Sequence, residues 1–249
     1  MAKTMKIVTA GPYQKKILYS RGHRSDGPKQ RAAKRRASSE AQKRLNLKNS
    51  REKLKLVLAA AFPTAGSGQV FILTYRPDCV PASWDEADER VNEYRKLVRR
   101  ERRKRRLPFY MVSNTEEHSA RHGRLHHHVV VNTTGEDYEL LRRCWKWGEV
   151  LEFHPMRVDK DQNWETLAAY MTKEQPEKPG KHGWHATRNC PKPEIETFAV
   201  PDDATLQAPH GTHVIAAERH ADEFASWEAI EYVFPTGQRP PKAKRRRKR

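Results

Sequence analysis

The chain has 249 residues, which is enough for one medium domain with appendages or for two small domains. Its 49 Lys and Arg residues against 31 Asp and Glu give a net charge of +18, and this excess predicts a polyanionic partner such as a nucleic acid. The sequence has no apolar run long enough to cross a membrane, no apolar stretch behind its first residues, and only three widely spaced cysteines. We therefore expect no membrane partner, no secretory signal and no disulfide framework, but a cytosolic protein with reduced thiols.

Three segments have compositions that are typical of weakly structured chain. Residues 20–38 are basic, residues 175–194 contain four prolines and two glycines, and seven of the last eight residues are basic. We predict a basic N-terminal extension over residues 1–38, a core domain over residues 39–200, and a C-terminal extension with a basic tail over residues 201–249.

Between these segments, apolar periodicity and capping residues predict a series of helices and strands. The predicted helices cover residues 39–61, 84–106, 138–145 and 164–174, and the predicted strands cover residues 69–75, 108–115, 124–131 and 150–158. Ser83 is the expected N-cap of the second helix, whose first turn is acidic and whose last turns are basic. The order predicts an α+β fold with a ferredoxin-like split βαβ core, in which helices cover one face of an antiparallel sheet.

The third predicted strand carries three consecutive histidines in the segment RLHHHVVV. Because side chains alternate between the two faces of a strand, His126 and His128 point to one face and His127 to the other. Two imidazoles on one face can bind one metal ion, and Glu116 or Glu117 at the end of the preceding strand can complete a two-histidine, one-carboxylate site. The two glutamates face opposite ways, so only one of them qualifies. A solvent-exposed histidine cluster without a metal is the alternative.

The last predicted helix carries Tyr170 beside an apolar stripe that includes Leu167 and Met171. Lys173 lies three residues further along, so it neighbours Tyr170 on the helix surface. A tyrosine next to a cation is a candidate nucleophile. A ring that packs at an interface and keeps its hydroxyl in water is the alternative.

In combination, these segments resemble the HUH endonuclease superfamily, and most closely its rolling-circle replication initiators. The apolar strand Phe71–Tyr75 is similar to the first family motif, GRLHHHVVV to the metal motif, and Tyr170 with Lys173 to the tyrosine motif. The resemblance covers roughly residues 35–200, and the stretch TRNCPKPE near its end also looks like a segment of such initiators. The chain departs from the pattern at His127, where the family usually has a bulky apolar residue. One candidate tyrosine places it with the single-tyrosine subgroup.

The resemblance implies a divalent cation, Mg²⁺ or Mn²⁺, on His126, His128 and Glu116. It also implies that Tyr170 attacks a phosphodiester to give a 5′-phosphotyrosine, with Lys173 assisting. The implied partners are single-stranded DNA or an origin hairpin, together with a host helicase and polymerase in a bacterial cytosol, since no ATP-binding P-loop motif occurs.

Two other functions are compatible with parts of this pattern. A single-tyrosine transposase would use the same chemistry on a transposon end, whereas the order of histidines before tyrosine argues against a relaxase. A non-catalytic basic nucleic-acid-binding protein would share the charge and the fold, but it would not need the histidine, carboxylate and tyrosine residues. Trp145, Trp147 and Trp184 are candidates for stacking on single-stranded bases or for packing.

Overall fold

A computed structural model describes residues 3–20, 40–118, 124–173, 183–221, 226–238 and 240. These residues form two antiparallel five-stranded sheets and four α-helices, which confirms the predicted α+β class. The basic stretch at 21–38, the connection at 119–123, the stretch at 174–182 and residues 241–249 lie outside the described residues. No helix of the described chain is both long and apolar enough to cross a membrane.

Helices and strands alternate along the middle of the chain, and strands alone occupy both ends of its described part. The helices are α1 (Glu40–Ala61), α2 (Trp84–Lys104), α3 (Tyr138–Cys144) and α4 (Glu165–Tyr170). The strands are β1 (Lys3–Ala10), β2 (Tyr13–Ser20), β3 (Gln69–Leu73), β4 (Met111–His118), β5 (Arg124–Val131), β6 (Val150–Pro155), β7 (His185–Ala186), β8 (Glu194–Val200), β9 (His213–Ala221) and β10 (Ser226–Val233).

The core sheet has the strand order β6-β3-β5-β4-β7 and carries the predicted ferredoxin-like core. Strands β3, β4, β5 and β6 are the four strands expected from the sequence, with α2 connecting β3 to β4 and α3 connecting β5 to β6. The predicted split βαβ arrangement is therefore confirmed, since β5 lies between β3 and β4 and is antiparallel to both.

The cap and charge pattern of α2 is also confirmed. The backbone N–H of Glu86 donates a hydrogen bond to the side chain of Ser83 over 3.2 Å. Acidic residues occupy the first turn and basic residues the last, so both ends complement the helix dipole.

Helices cover both faces of the core sheet, whereas the sequence predicted them on one face. The crossover helices α2 and α3 pack against the face that bears Phe71, Val129 and Val131. Helices α1 and α4 pack against the opposite face, which bears Val70 and Val130. The physical reason is that β3 and β5 are apolar on both faces, and both faces must be covered to exclude water.

The second sheet, with the order β8-β1-β2-β10-β9, was not predicted as a sheet. It draws its strands from all three predicted ranges, 1–38, 39–200 and 201–249, whose boundaries stay predictions. β1 and β2 are joined by a two-residue turn in which Gly11 has a φ of 58°, a conformation that suits glycine at the first turn position. A Cβ at Gly11 would lie 2.3 Å from the Ala59 carbonyl oxygen, so the turn packs directly on α1.

A buried group of charges joins the second sheet to the helices of the core domain. The ammonium of Lys55 on α1 lies 3.3 Å from the Glu231 carboxylate on β10 and 3.5 Å from that of Glu165, the first residue of α4. Tyr13 on β2 donates a hydrogen bond of 2.7 Å to Glu231. The helix that carries Tyr170 is thus linked to the second sheet through one buried lysine.

Candidate metal and tyrosine site

The alternation of side chains along β5 separates its three histidines. His127 faces α2 and α3, where it packs against Tyr75 and Trp145, whereas His126 and His128 share the opposite face. β4 pairs with β5 so that Glu116 lies directly opposite His126.

Glu116, His126 and His128 converge on a small volume. The Nε2 atoms of the two histidines are 3.2 Å apart, and the Glu116 carboxylate oxygen lies 3.0 Å from Nε2 of His128 and 3.7 Å from Nε2 of His126. Asn114 donates a hydrogen bond of 3.1 Å to the other oxygen of Glu116, whose side chain is fully buried. The carboxylate is therefore held with one oxygen directed at the two imidazoles.

The arrangement suits a divalent cation. Neighbouring ligands of an octahedral ion lie about 3 Å apart when each metal–ligand bond is about 2.1 Å, and the three atoms have nearly that spacing already. Neutral imidazole and carboxylate are ligands that Mn²⁺ and Mg²⁺ accept, and three protein ligands leave positions open. Glu116, His126 and His128 are thus a group that could hold a metal ion.

Tyr170 and Lys173 lie at the edge of this group. The Tyr170 ring centroid is 4.6 Å from that of His128, and 38% of the tyrosine is exposed, so its hydroxyl is accessible beside the cluster. The Lys173 ammonium is 4.7 Å from the Tyr170 ring centroid and 3.3 Å from the Glu116 carboxylate. One lysine therefore contacts both the carboxylate and the tyrosine.

The local electrostatics favour an ionised carboxylate and a neutral phenol. Burial opposes ionisation of Glu116, but His128 and Lys173 outweigh it and lower the pKa of the carboxyl. Burial raises the pKa of Tyr170; Lys173 lowers it, and Glu152 and Glu116 raise it further. Lys173 acts on the phenol in the expected direction, but its effect is too small to offset burial.

His127 forms a polar chain behind the cluster. Its Nε2 lies 2.6 Å from the Tyr75 hydroxyl and its Nδ1 lies 3.0 Å from the Thr115 hydroxyl, which donates in turn to Asp88 over 3.2 Å. Complete burial lowers the pKa of His127 to about 3, and the neighbouring His126 and His128 contribute, so the ring is neutral. The hydrogen bonds explain how an imidazole occupies a position where an apolar side chain is expected.

Other residues singled out in the sequence lie away from the cluster. Glu117 is exposed, and it pairs with Leu125 in the register that faces away from His126 and His128. Trp145 is buried in the core on the α2 side, and Trp147 packs against the same core. Trp184 packs against the α1 side and donates a hydrogen bond to Ser50, so these three tryptophans have packing roles.

A cavity of about 380 Å³ opens at the cluster, and its walls include two residues that the sequence analysis did not select. Arg124 precedes the histidines on β5, and Glu152 lies on β6. Asn114 was also missed, although its position two residues before Glu116 places it on the same strand face. Nothing in the sequence signals Glu152, because its place in the cavity depends on how β6 pairs with β3.

The site lies inside the part of the chain that resembles a known family. Residues 69–175 match the family model of the replication-associated protein ORF2. The matched segment contains the metal-ligand candidates, Tyr170 and Lys173, and it supports a role in the initiation of replication. No curated protein and no solved structure matches the chain.

Proposed function

We propose that the protein is a replication initiator that nicks and rejoins single-stranded DNA through a phosphotyrosine formed on Tyr170. The observation that carries the proposal is the placement of Tyr170 against His128, within a Glu116–His126–His128 cluster that suits a divalent cation. The match of this segment to a replication-associated family supports the same conclusion.

The metal ligands in this proposal are Glu116, His126 and His128. A divalent cation such as Mg²⁺ or Mn²⁺ would offset the negative charge that builds up on the phosphate during the attack. Asn114 and Lys173 orient the Glu116 carboxylate, and the open side of the cluster leaves room for the phosphate.

Tyr170 acts as the nucleophile in this proposal. A bond forms between its Oη and phosphorus while the bond from phosphorus to the 3′-oxygen breaks, so the phenol loses its proton and the 3′-oxygen gains one. The product is a 5′-phosphotyrosine and a free 3′-hydroxyl that a polymerase can extend. Attack by a 3′-hydroxyl reverses the step and rejoins the strand without ATP, because the phosphotyrosine keeps the phosphodiester bond energy. Lys173 stabilises the phenolate as the proton leaves.

The substrate in this proposal is single-stranded DNA or the exposed strand of an origin hairpin. A stacked duplex would not allow the tyrosine to approach phosphorus in line with the leaving oxygen. The net charge of +18 supports binding of the phosphate backbone. A host helicase and polymerase in a bacterial cytosol would supply unwinding and extension.

Covalent capture from a random-sequence library of single-stranded DNA tests the proposal without knowledge of the origin. The protein is incubated with the library and Mn²⁺, and DNA that stays attached through denaturation and protein purification is sequenced. We expect one enriched sequence, lost with EDTA and with Tyr170→Phe. Enrichment of transposon-end hairpins would favour a transposase, and binding without covalent capture would favour a non-catalytic binding protein.

A further inference from the structure

A second cavity adjoins the one at the metal-ligand cluster, and the two share a wall. Its volume is about 300 Å³, and Ile72, His128, Glu152 and Tyr170 line both cavities. A strand that presents a phosphate to Tyr170 must therefore pass the entrance to this second cavity. We propose that the second cavity holds one base of the DNA strand, from a nucleotide next to the scissile phosphate; this proposal rests on the proposed function.

The apolar walls of the cavity suit the flat faces of a base. Val70 and Ile72 contribute from β3, Leu167 from α4, and Val158 from the segment after β6. Unstacked bases bind to proteins through apolar and aromatic contacts to their faces, and the rings of His128 and Tyr170 lie at this wall. A volume of about 300 Å³ is at the small end of ligand pockets, so it suits one heterocycle rather than a run of nucleotides.

Polar side chains at the rim match the edge of a base and the adjoining phosphate. The carboxylates of Glu152 and Asp159 are hydrogen-bond acceptors, and Arg157 adds a positive charge. Asp159 already accepts from the backbone N–H of Asn163 over 2.9 Å, whereas Glu152 accepts no hydrogen bond from any side chain in the described part of the chain. Glu152 is thus available to an exocyclic amino group, which adenine, cytosine and guanine have and thymine lacks.

The backbone of β6 directs Glu152 into this position. Val70 pairs with His154 and Ile72 with Leu151, so β6 has one residue more than β3 across this step, which is a β-bulge. Glu152 lies in the bulge with a φ of 51°, a left-handed conformation that is unfavourable for a glutamate. Bulges beside active sites re-aim side chains, and the cost of the conformation is consistent with a binding role for this carboxylate.

A scan of abasic sites tests whether one base is held. Oligonucleotides with the captured sequence receive a single abasic site at each position around the nick. Adduct formation is measured with the wild-type protein, and binding is measured with Tyr170→Phe. We expect roughly tenfold loss at one position within two nucleotides of the nick, as expected when one base–protein stacking contact is removed. Adducts with a flat scan would overturn the base-pocket proposal alone, whereas absence of adducts would overturn the proposed function.

Substitution of Thr166 by tryptophan assigns the held base to this cavity. Thr166 is exposed, lines the cavity from α4 and lies one helical turn before Tyr170, so the larger side chain fills the entrance without disturbing the core. Thr166→Trp should cut the intact and the abasic oligonucleotide at equal rates. Thr64→Trp is the matched control, because Thr64 is exposed and does not line the cavity. An undiminished abasic penalty in Thr166→Trp would contradict the assignment.

Substitution of Glu152 by glycine tests base selection, because glycine tolerates the positive φ and removes only the side chain. Wild-type protein should disfavour thymine at the held position, and Glu152→Gly should reduce this discrimination about tenfold. The ratio of the adduct rates for cytosine and thymine is the readout, so a general change in activity cancels. Equal discrimination in both proteins would show that Glu152 does not contact the base.

Discussion

The two neighbouring glutamates at the end of β4 have opposite environments. Glu116 is fully buried between His128, Asn114 and Lys173, whereas Glu117 is exposed on the other side of the strand. This difference follows from the alternation of a strand. It makes one carboxylate the candidate metal ligand and the other its matched control.

We predict that Glu116→Gln weakens Mn²⁺ binding by at least about tenfold, because it removes a charged ligand rather than a supporting contact. Glu117→Gln should leave Mn²⁺ binding unchanged. Calorimetric titration of both variants and the wild type with Mn²⁺, without DNA, measures the effect. Equal affinities for all three proteins would show that Glu116 is not a ligand.

His127 supports the histidine strand from its other face. We predict that His127→Leu lowers the free energy of unfolding by about 1–3 kcal/mol, because the buried Tyr75 hydroxyl loses its partner. The double variant Tyr75→Phe/His127→Leu should lose less than the sum of the single variants. Urea unfolding of the four proteins measures the coupling, and strict additivity would contradict the hydrogen bond.

At the scale of elements, the position of the cavity depends on how the start of β6 meets the end of β3. A Cβ on Gly148 would lie 1.9 Å from the Thr74 carbonyl oxygen, and Thr74 lines the cavity at the metal-ligand cluster. The backbones of the two segments therefore meet without space for a side chain.

We predict that Gly148→Ala lowers the free energy of unfolding by about 1–3 kcal/mol, because the added methyl group forces β3 and β6 apart. Gly135→Ala is the control, since a Cβ there has no atom within 4 Å, and it should change stability by no more than about 0.5 kcal/mol. Denaturant titration compares the two. A Gly148→Ala variant as stable as Gly135→Ala would mean that the segments separate easily.

The sequence predicted the elements whose signals are local. The apolar run of β3, the alternation of β5 and the Ser83 cap of α2 each specify an element without reference to the rest of the chain. The second sheet has no such signal. β1 and β2 mix lysines with apolar residues, and they pair with strands that follow about 175 or more positions later, which composition cannot reveal.

The same limit applies to the candidate site. Strand alternation grouped His126 with His128, and the tyrosine motif selected Tyr170. The position of Glu152 could not be predicted, because it follows from a bulge that exists only once β6 pairs with β3.

At the scale of the whole molecule, a buried ion network connects the second sheet to the tyrosine helix. Burial opposes the ionisation of Glu231, but Lys55, Lys15 and Tyr13 outweigh it and hold its pKa at about 2. Burial likewise opposes the charge of Lys55, and the neighbouring glutamates raise its pKa in spite of it. Each charge therefore depends on the others.

The depressed pKa of Glu231 makes the stability of the protein pH-dependent. Its ordinary pKa is 4.5, so the stabilisation is fully present above about pH 4.5 and is lost as the pH falls towards about 2. We predict that Glu231→Gln costs roughly 3 kcal/mol at neutral pH and that the gap from the wild type narrows over this window. Glu228→Gln, which removes a more exposed ion pair with Arg219, should cost less than about 1 kcal/mol. Unfolding measured from pH 7 to pH 2 checks this, and a constant gap would contradict it.

The central claim is that Tyr170 bonds to DNA, and peptide mass spectrometry tests it most directly. Trypsin releases residues 161–173 as one peptide that contains a single tyrosine. After reaction with the captured oligonucleotide and Mn²⁺, followed by nuclease digestion, we predict that this peptide carries a 5′-nucleotide on Tyr170. A nucleotide on another tyrosine, such as Tyr138, or cleavage of the DNA without any modified peptide would contradict the account.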